Sequence, residues 1–189
     1  QNFNSSLLLI GMDIGDDPED DGDGRRFCEN VRTEFPVNTI TDSLYEDVSP
    51  DFGKTGIMER FIIGYNFVYS QSHGDKHVIR QKDYDFKIWS DEILNLTAPS
   101  GLYYIAACEP GTYGTDSFSH KAMISPTGGS VTYVGSSAEE FPVNSDDFNA
   151  YFFRQLNRGK TYGESLADAK IVYGHPRSSG ISVYLNFAY

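Results

Sequence analysis

Apolar and polar positions along the 189 residues switch repeatedly between a strand period and a helix period. Ser5 to Met12, SSLLLIGM, is a nearly unbroken apolar run ending at an acidic loop, as expected of a strand covered on both faces and so of a parallel sheet. Cys28, Val31 and Phe35 then recur at helical spacing, and NTITDSLYE (38 to 46) returns to residues that favour strands. Ile57, Met58, Phe61 and Ile62 form a second helical face, followed by a strand NFVYSQSHG (66 to 74) that terminates on His73 and Gly74. The next strand, GLYYIAAC (101 to 108), terminates on Cys108. Asp116 is placed to cap a short helix through Met123, and SVTYVGSS (130 to 137) is again strand-like. Phe148, Phe152 and Leu156 outline a helix stopped at Gly159, Thr161 and Glu164 form a capping box that opens a helix toward Tyr173, and ISVYLNF (181 to 187) is a closing strand. Alternation of this kind predicts an α/β fold: one unit over residues 1–189, a mostly parallel sheet with helices on both faces, and ligands beyond the carboxyl ends of the strands.

Composition removes several function classes. A hydrophobic share of 39%, with thirteen Tyr and thirteen Phe, argues against disorder. The longest apolar stretches, Leu7 to Ile10 and Phe61 to Ile63, fall far short of the roughly 18–20 residues of a spanning helix. A net charge of −12, from 27 acidic and 15 basic residues without a basic cluster, argues against nucleic acid as a partner. Cys28 and Cys108 are the two cysteines, enough for one disulfide and too few for a cysteine metal cluster. Gln1 is not a natural start, so a leader or preceding domain is expected in a longer precursor.

The candidate chemistry sits at two strand ends. A thiolate is the nucleophilic form of cysteine, and an imidazole can take its proton or stabilise the anion, so Cys108 and His73 form a candidate dyad. Gly74 permits close approach of a substrate backbone, and its N–H together with that of Cys108 can hold an oxyanion. Taken singly, Cys108 reads as a small buried hydrophobe and His73 as a structural histidine. The ordered pair, one strand ending in His-Gly and a later one in Ala-Cys, is what favours chemistry.

With these residues in place the chain resembles the gingipain family of cysteine endopeptidases, which share a caspase-like fold with caspases, legumain, clostripain and separase. The resemblance is carried by LLLIGMD, Glu29-Asn30, GIMERFIIGYNFVYSQSHGD, YYIAACEPGTYGTDSFSHKAM and PTGGSVTYVGSS. It implies a caspase-like three-layer sandwich acting on peptide or protein substrates, with His73 as the catalytic histidine, Cys108 as nucleophile, and Gly74 and Cys108 as oxyanion donors. Asp13 best matches the acid that orients the histidine, with Asp16 and Asp17 as alternatives; a solvated turn is the competing reading of Asp13. The resemblance also implies a bacterial protein, secreted or at the cell surface, with an N-terminal subdomain or propeptide and no required cofactor.

Several residues depart from the family pattern or stay open. GDDPEDDGDG (15 to 24) holds six acids in ten residues, and Asp16, Asp17, Glu19 and Asp21 are candidate ligands for a structural calcium. Cys28 stands where an EF-hand would need its last Glu, so the alternatives are an irregular calcium site, an acidic wall for a basic substrate side chain, or a solvated loop. Where Arg- or Lys-directed relatives carry a pocket acid, this chain has Arg25, with Asp23 nearby, which speaks against basic specificity. Trp89, Ser136 and Ser137 are further pocket candidates, packing being the favoured reading of Trp89 and a tight turn the competing one for the serines. His77, His120 and His175 read as solvent-facing or capping residues. The rival to a peptidase is a non-catalytic caspase-like module that binds a protein partner or calcium; acyl transfer in place of hydrolysis is a third option.

Overall fold

The computed structural model describes residues 6–15, 23–82, 85–139, 142–173 and 187–188. A six-stranded sheet is built from β1 (Ser6–Gly11), β2 (Ile40–Tyr45), β3 (Phe67–Gln71), β7 (Pro99–Ala106), β8 (Gly129–Ser136) and β9 (Phe187–Ala188). Its order is β2-β1-β3-β7-β8-β9, parallel throughout except for β9, which pairs antiparallel with β8. The expected closing strand appears as β9 alone, because 181–186 lie outside the described residues.

Side-chain alternation sorts the core into two layers. Along β7, Leu102, Tyr104 and Ala106 face one layer, and Tyr103, Ile105 and Ala107 face the other. The first layer is covered by α1 (Asp23–Thr33), α5 (Pro142–Asn157) and α6 (Tyr162–Tyr173), through Cys28, Val31, Phe148, Phe152, Phe153, Leu166 and Ala169. The second is covered by α2 (Lys54–Phe61), α3 (Ser90–Ile93) and α4 (Phe118–Ile124), through Ile57, Phe61, Ile93, Phe118 and Ala122. Burial of both faces explains the unbroken apolar run LLLI in β1, each of whose side chains contributes about 1.5–3 kcal/mol. Among the described residues no helix is long and apolar enough to cross a membrane.

Three details position the site. Gly11, at the end of β1, and Gly24, in the first turn of α1, pack backbone to backbone. A methyl group on Gly11 would stand 2.6 Å from the Gly24 carbonyl carbon, and one on Gly24 would collide with the Met12 carbonyl oxygen. The chain does not run straight from β3 through His73: it leaves the parallel sheet and forms a second, antiparallel sheet of β4 (His73–Asp75), β5 (Val78–Arg80) and β6 (Lys87–Trp89). Strands of three residues are too short to show an alternation, so this sheet was absent from the sequence reading. The helix cap expected at Asp116 belongs instead to Ser117, whose hydroxyl accepts from His120 N–H at 3.2 Å. The Asp116 carbonyl takes the His77 ring and the Ser90 hydroxyl. The capping box at α6 forms as read, with Thr161 N–H donating to Glu164 at 2.9 Å and Glu164 N–H to Thr161 Oγ1 at 3.3 Å.

Candidate active site

Register, rather than proximity along the chain, sets the strand ends that precede the candidate residues side by side. β1 pairs with β3 from Leu7↔Phe67 to Gly11↔Gln71, and β3 with β7 from Phe67↔Leu102 to Gln71↔Ala106. The parallel ladder then runs on by one bond at each junction, Met12 N–H to Gln71 O at 2.9 Å and Ser72 N–H to Ala106 O at 3.0 Å. Two positions along the chain beyond the last paired residues, Gly11, Gln71 and Ala106, stand Asp13, His73 and Cys108. The 35 positions separating Gln71 from Ala106 are also those separating His73 from Cys108, so the sequence distance is the register offset itself.

The two strand ends touch. A methyl group on Gly74 would lie 2.9 Å from Val78 O, 3.1 Å from Ala107 Cβ and 3.3 Å from Cys108 O, so Gly74 packs directly against Ala107-Cys108. Glycine is required there by the space, as expected of a backbone that must stay open. Cys108 is outside any disulfide and partly exposed, and His73 is partly buried with Nε2 shielded from solvent. Cys28, by contrast, is fully buried in α1, and burial pushes its thiol well above the usual range.

Glu109, directly after Cys108, holds φ +62°, the one non-glycine residue in the left-handed region among those described. Its N–H donates to Ala138 O at 3.0 Å, and its carbonyl accepts from Thr112 N–H at 2.9 Å, closing a turn that redirects the chain behind the thiol. Strain of this kind costs of order 1 kcal/mol and is tolerated where surrounding bonds enforce it. Glu109→Val, with a branched Cβ, is expected to lose a further 1–2 kcal/mol or so, a fall in Tm of roughly 3–8 °C, whereas Glu109→Gly lowers Tm not at all. Equal Tm values for the two variants in a thermal melt would show that the turn is not strained.

Asp13 does not stand alone in solvent. Its N–H donates to Glu46 Oε2 at 2.7 Å, its Oδ1 accepts from Gly15 N–H at 3.0 Å, and Lys82 Nζ lies 3.9 Å from Oδ2. Lys82 also donates to Gly15 O, and Gln81 to Glu46, so Glu46, Gln81 and Lys82 tie the loop after β1 to the small sheet. The sequence reading missed all three, since nothing in their spacing marks a loop clamp.

The pocket candidates are scattered. Asp23 opens α1, its side chain outside the description. Arg25 is ion-paired with Asp47 at 3.0 Å. Trp89 closes β6, 46% exposed, with the Lys87 ammonium 5.5 Å from its ring centre. The Ser136 hydroxyl is buried, donating to Ala138 O at 2.7 Å, and the Ser137 carbonyl accepts from Thr112 at 3.4 Å. Asp16, Asp17, Glu19, Asp21 and His175 lie outside the described residues, and among those described no cluster of His, Cys, Asp and Glu could hold a metal ion. His77 is exposed, with Nδ1 2.8 Å from Asp116 O, which pins the β4–β5 turn to the segment after Cys108. His120, read as solvent-facing or capping, is partly exposed: its N–H meets the Ser117 cap, Nδ1 is buried, and it lines a cavity of about 370 Å³ with Tyr113, Met123 and Tyr133.

Comparison with known proteins adds an independent line. The family model described as peptidase family C25 matches residues 1–189. Among solved structures, the complex of Porphyromonas gingivalis RgpB pro- and mature domains aligns over 90% of this chain at a TM-score of 0.64 and 15% identity. The Arg-specific cysteine proteinase gingipain R (RgpB) aligns over 92% at a TM-score of 0.59 and 15% identity. The chain spans 42% and 43% of those two, and 31% of a further protease structure that aligns over 77% of it at a TM-score of 0.59 and 15% identity. No curated protein matches.

Proposed function

The chain belongs to peptidase family C25, and from that premise we propose that it is a cysteine endopeptidase whose nucleophile is Cys108 and whose general base is His73. The observation that carries this reading is the contact of Gly74, next to His73, with Ala107-Cys108 just beyond the point where the parallel strands β3 and β7 end side by side. In the reaction the imidazole takes the thiol proton and the sulfur bonds to the scissile carbonyl carbon. The carbon–nitrogen bond then breaks as the imidazole returns the proton to the leaving amine. Water, giving its proton to the same imidazole, displaces the sulfur as a carboxylic acid and restores the thiol. The N–H groups of Gly74 and Cys108 are the proposed oxyanion donors, and Asp13 the proposed orienting acid.

Arg specificity is stated of gingipain R and is not carried over: Arg25, the residue expected near the pocket, is itself a cation, ion-paired with Asp47. A propeptide partner and a secreted location are proposed from the likeness to the RgpB pro- and mature-domain complex. Structural calcium remains a proposal for Asp16, Asp17, Glu19 and Asp21, with no part in the steps above.

A thiol-directed peptide probe tests the assignment. It is expected to label the native chain once, at Cys108, with Cys28 reacting only after unfolding because it is buried and its thiolate disfavoured. Peptide mapping that finds Cys28 modified in the native protein and Cys108 intact would overturn the reading.

A further inference from the structure

A closed hydrogen-bonded circuit lies in the core directly behind the ends of β3 and β7. The Tyr104 hydroxyl donates to Asn149 Oδ1 at 2.6 Å, and Asn149 Nδ2 donates to the Tyr69 hydroxyl at 3.1 Å. The Tyr69 hydroxyl donates to Gln71 Oε1 at 2.8 Å, and Gln71 Nε2 donates to Ala106 O at 3.4 Å. Tyr69, Tyr104 and Asn149 are fully buried and Gln71 is 1% exposed.

Its direction follows from chemistry. A carbonyl oxygen can only accept, so Gln71 must face Ala106 with its amide nitrogen, which turns Oε1 toward Tyr69. Tyr69 then gives its proton to Gln71 and takes one from the Asn149 amide, and Asn149 Oδ1 is left to accept from Tyr104. The path leaves β7 at Tyr104, crosses α5 and β3, and returns to β7 at Ala106. Gln71 and Ala106 are the last residues of their strands, two positions before His73 and Cys108. Ala106 O accepts from both Gln71 Nε2 and Ser72 N–H, and Gln71 O accepts from Met12 N–H, so this one glutamine joins β1, β3 and β7 where their ladders stop.

Phe148, Phe152 and Phe153 belong to the same core layer, and apolar residues could fill the space without burying polar groups. What the circuit supplies that an apolar core would not is direction and spacing. We propose that Gln71, held by Tyr69 and Asn149, is a positioning residue that sets the approach of the His73 imidazole to the Cys108 sulfur. The proposal rests on the cysteine-peptidase reading and deepens it.

The experiment compares Gln71→Met with the double variant Tyr69→Phe/Gln71→Met, in the full chain. In Gln71→Met, kcat is expected to fall about ten- to a hundred-fold with KM changed less than about two-fold. The acid limb of Cys108 alkylation should move up toward the free-thiol value of about 8.5. The double variant also removes the hydroxyl that had lost its acceptor, so Tm should recover while kcat and the alkylation profile do not. Recovery of kcat together with Tm, or an unshifted alkylation profile in Gln71→Met, overturns the proposal by showing a purely structural role. If Gln71→Met does not fold, Gln71→Asn, which keeps the amide but withdraws it by one methylene, carries the same expectations. A wild-type chain without turnover dependent on Cys108 would sink the peptidase reading instead, and the alkylation comparison would still decide the role of Gln71.

Discussion

Cys108→Ala is expected to lower peptide hydrolysis at least about 10³-fold while leaving Tm within about 2 °C of the wild type. The substitution removes one sulfur from a partly exposed site, so little packing is lost, whereas every covalent step of the proposed cycle is lost with it. His73→Ala should cost a comparable factor. The double variant should be scarcely worse than either single one, because two groups acting as a unit are not additive. Steady-state kcat/KM for a peptide pool, with circular dichroism to confirm the fold, provides the measurement. Undiminished turnover in Cys108→Ala would move the chemistry elsewhere. Absence of turnover in every form would favour a binding module of the same fold.

Phe153→Ala is expected to carry the largest stability effect, about 3–5 kcal/mol and a fall in Tm of about 10 °C. The ring is fully buried and stands 5.2–5.8 Å from the centres of Phe35, Tyr69, Tyr104 and Phe152, so its removal strips four aromatic partners at once. Val131, 73% exposed on β8, is the control: Val131→Ala should change stability by less than about 0.5 kcal/mol. Urea unfolding midpoints compare the two. A loss below about 1 kcal/mol in Phe153→Ala would show that this layer collapses around the gap. Tyr69 and Tyr104, which lean on Phe153, also hold the circuit behind Gln71, so the same variant should slow turnover beyond what its unfolded fraction explains.

The strands of the sheet were legible because burial on both faces writes itself as apolar runs, and LLLI in β1 or LYYIAA in β7 has no other easy reading. The relation between His73 and Cys108 was not. The offset between β3 and β7 is set by the crossover that joins them, and no residue in 72–98 announces its length in ladder positions; the structure turns an arbitrary-looking separation into a register. The antiparallel sheet was lost because His73 looked like the end of one strand when it begins another. Asp116 and its neighbour Ser117 are both good cap residues, and only the local turn places the cap at Ser117. Asn149 did leave a signal. It lies three and four positions before Phe152 and Phe153 on the buried stripe of α5, and a polar residue on an apolar stripe calls for a buried partner. The resemblance and the strand ends pointed to the same histidine and cysteine, but neither pointed to Gln71, Tyr69 and Asn149 behind the strand ends.

Gly11 and Gly24 leave no room for a side chain. Their backbone contact draws the departing strand and the arriving helix together at a fixed neck, and a β-carbon at either position would force the two apart. That neck closes on Met12, whose N–H is the last rung to Gln71, so even alanine there is expected to loosen the lattice at the edge where the proposed chemistry sits.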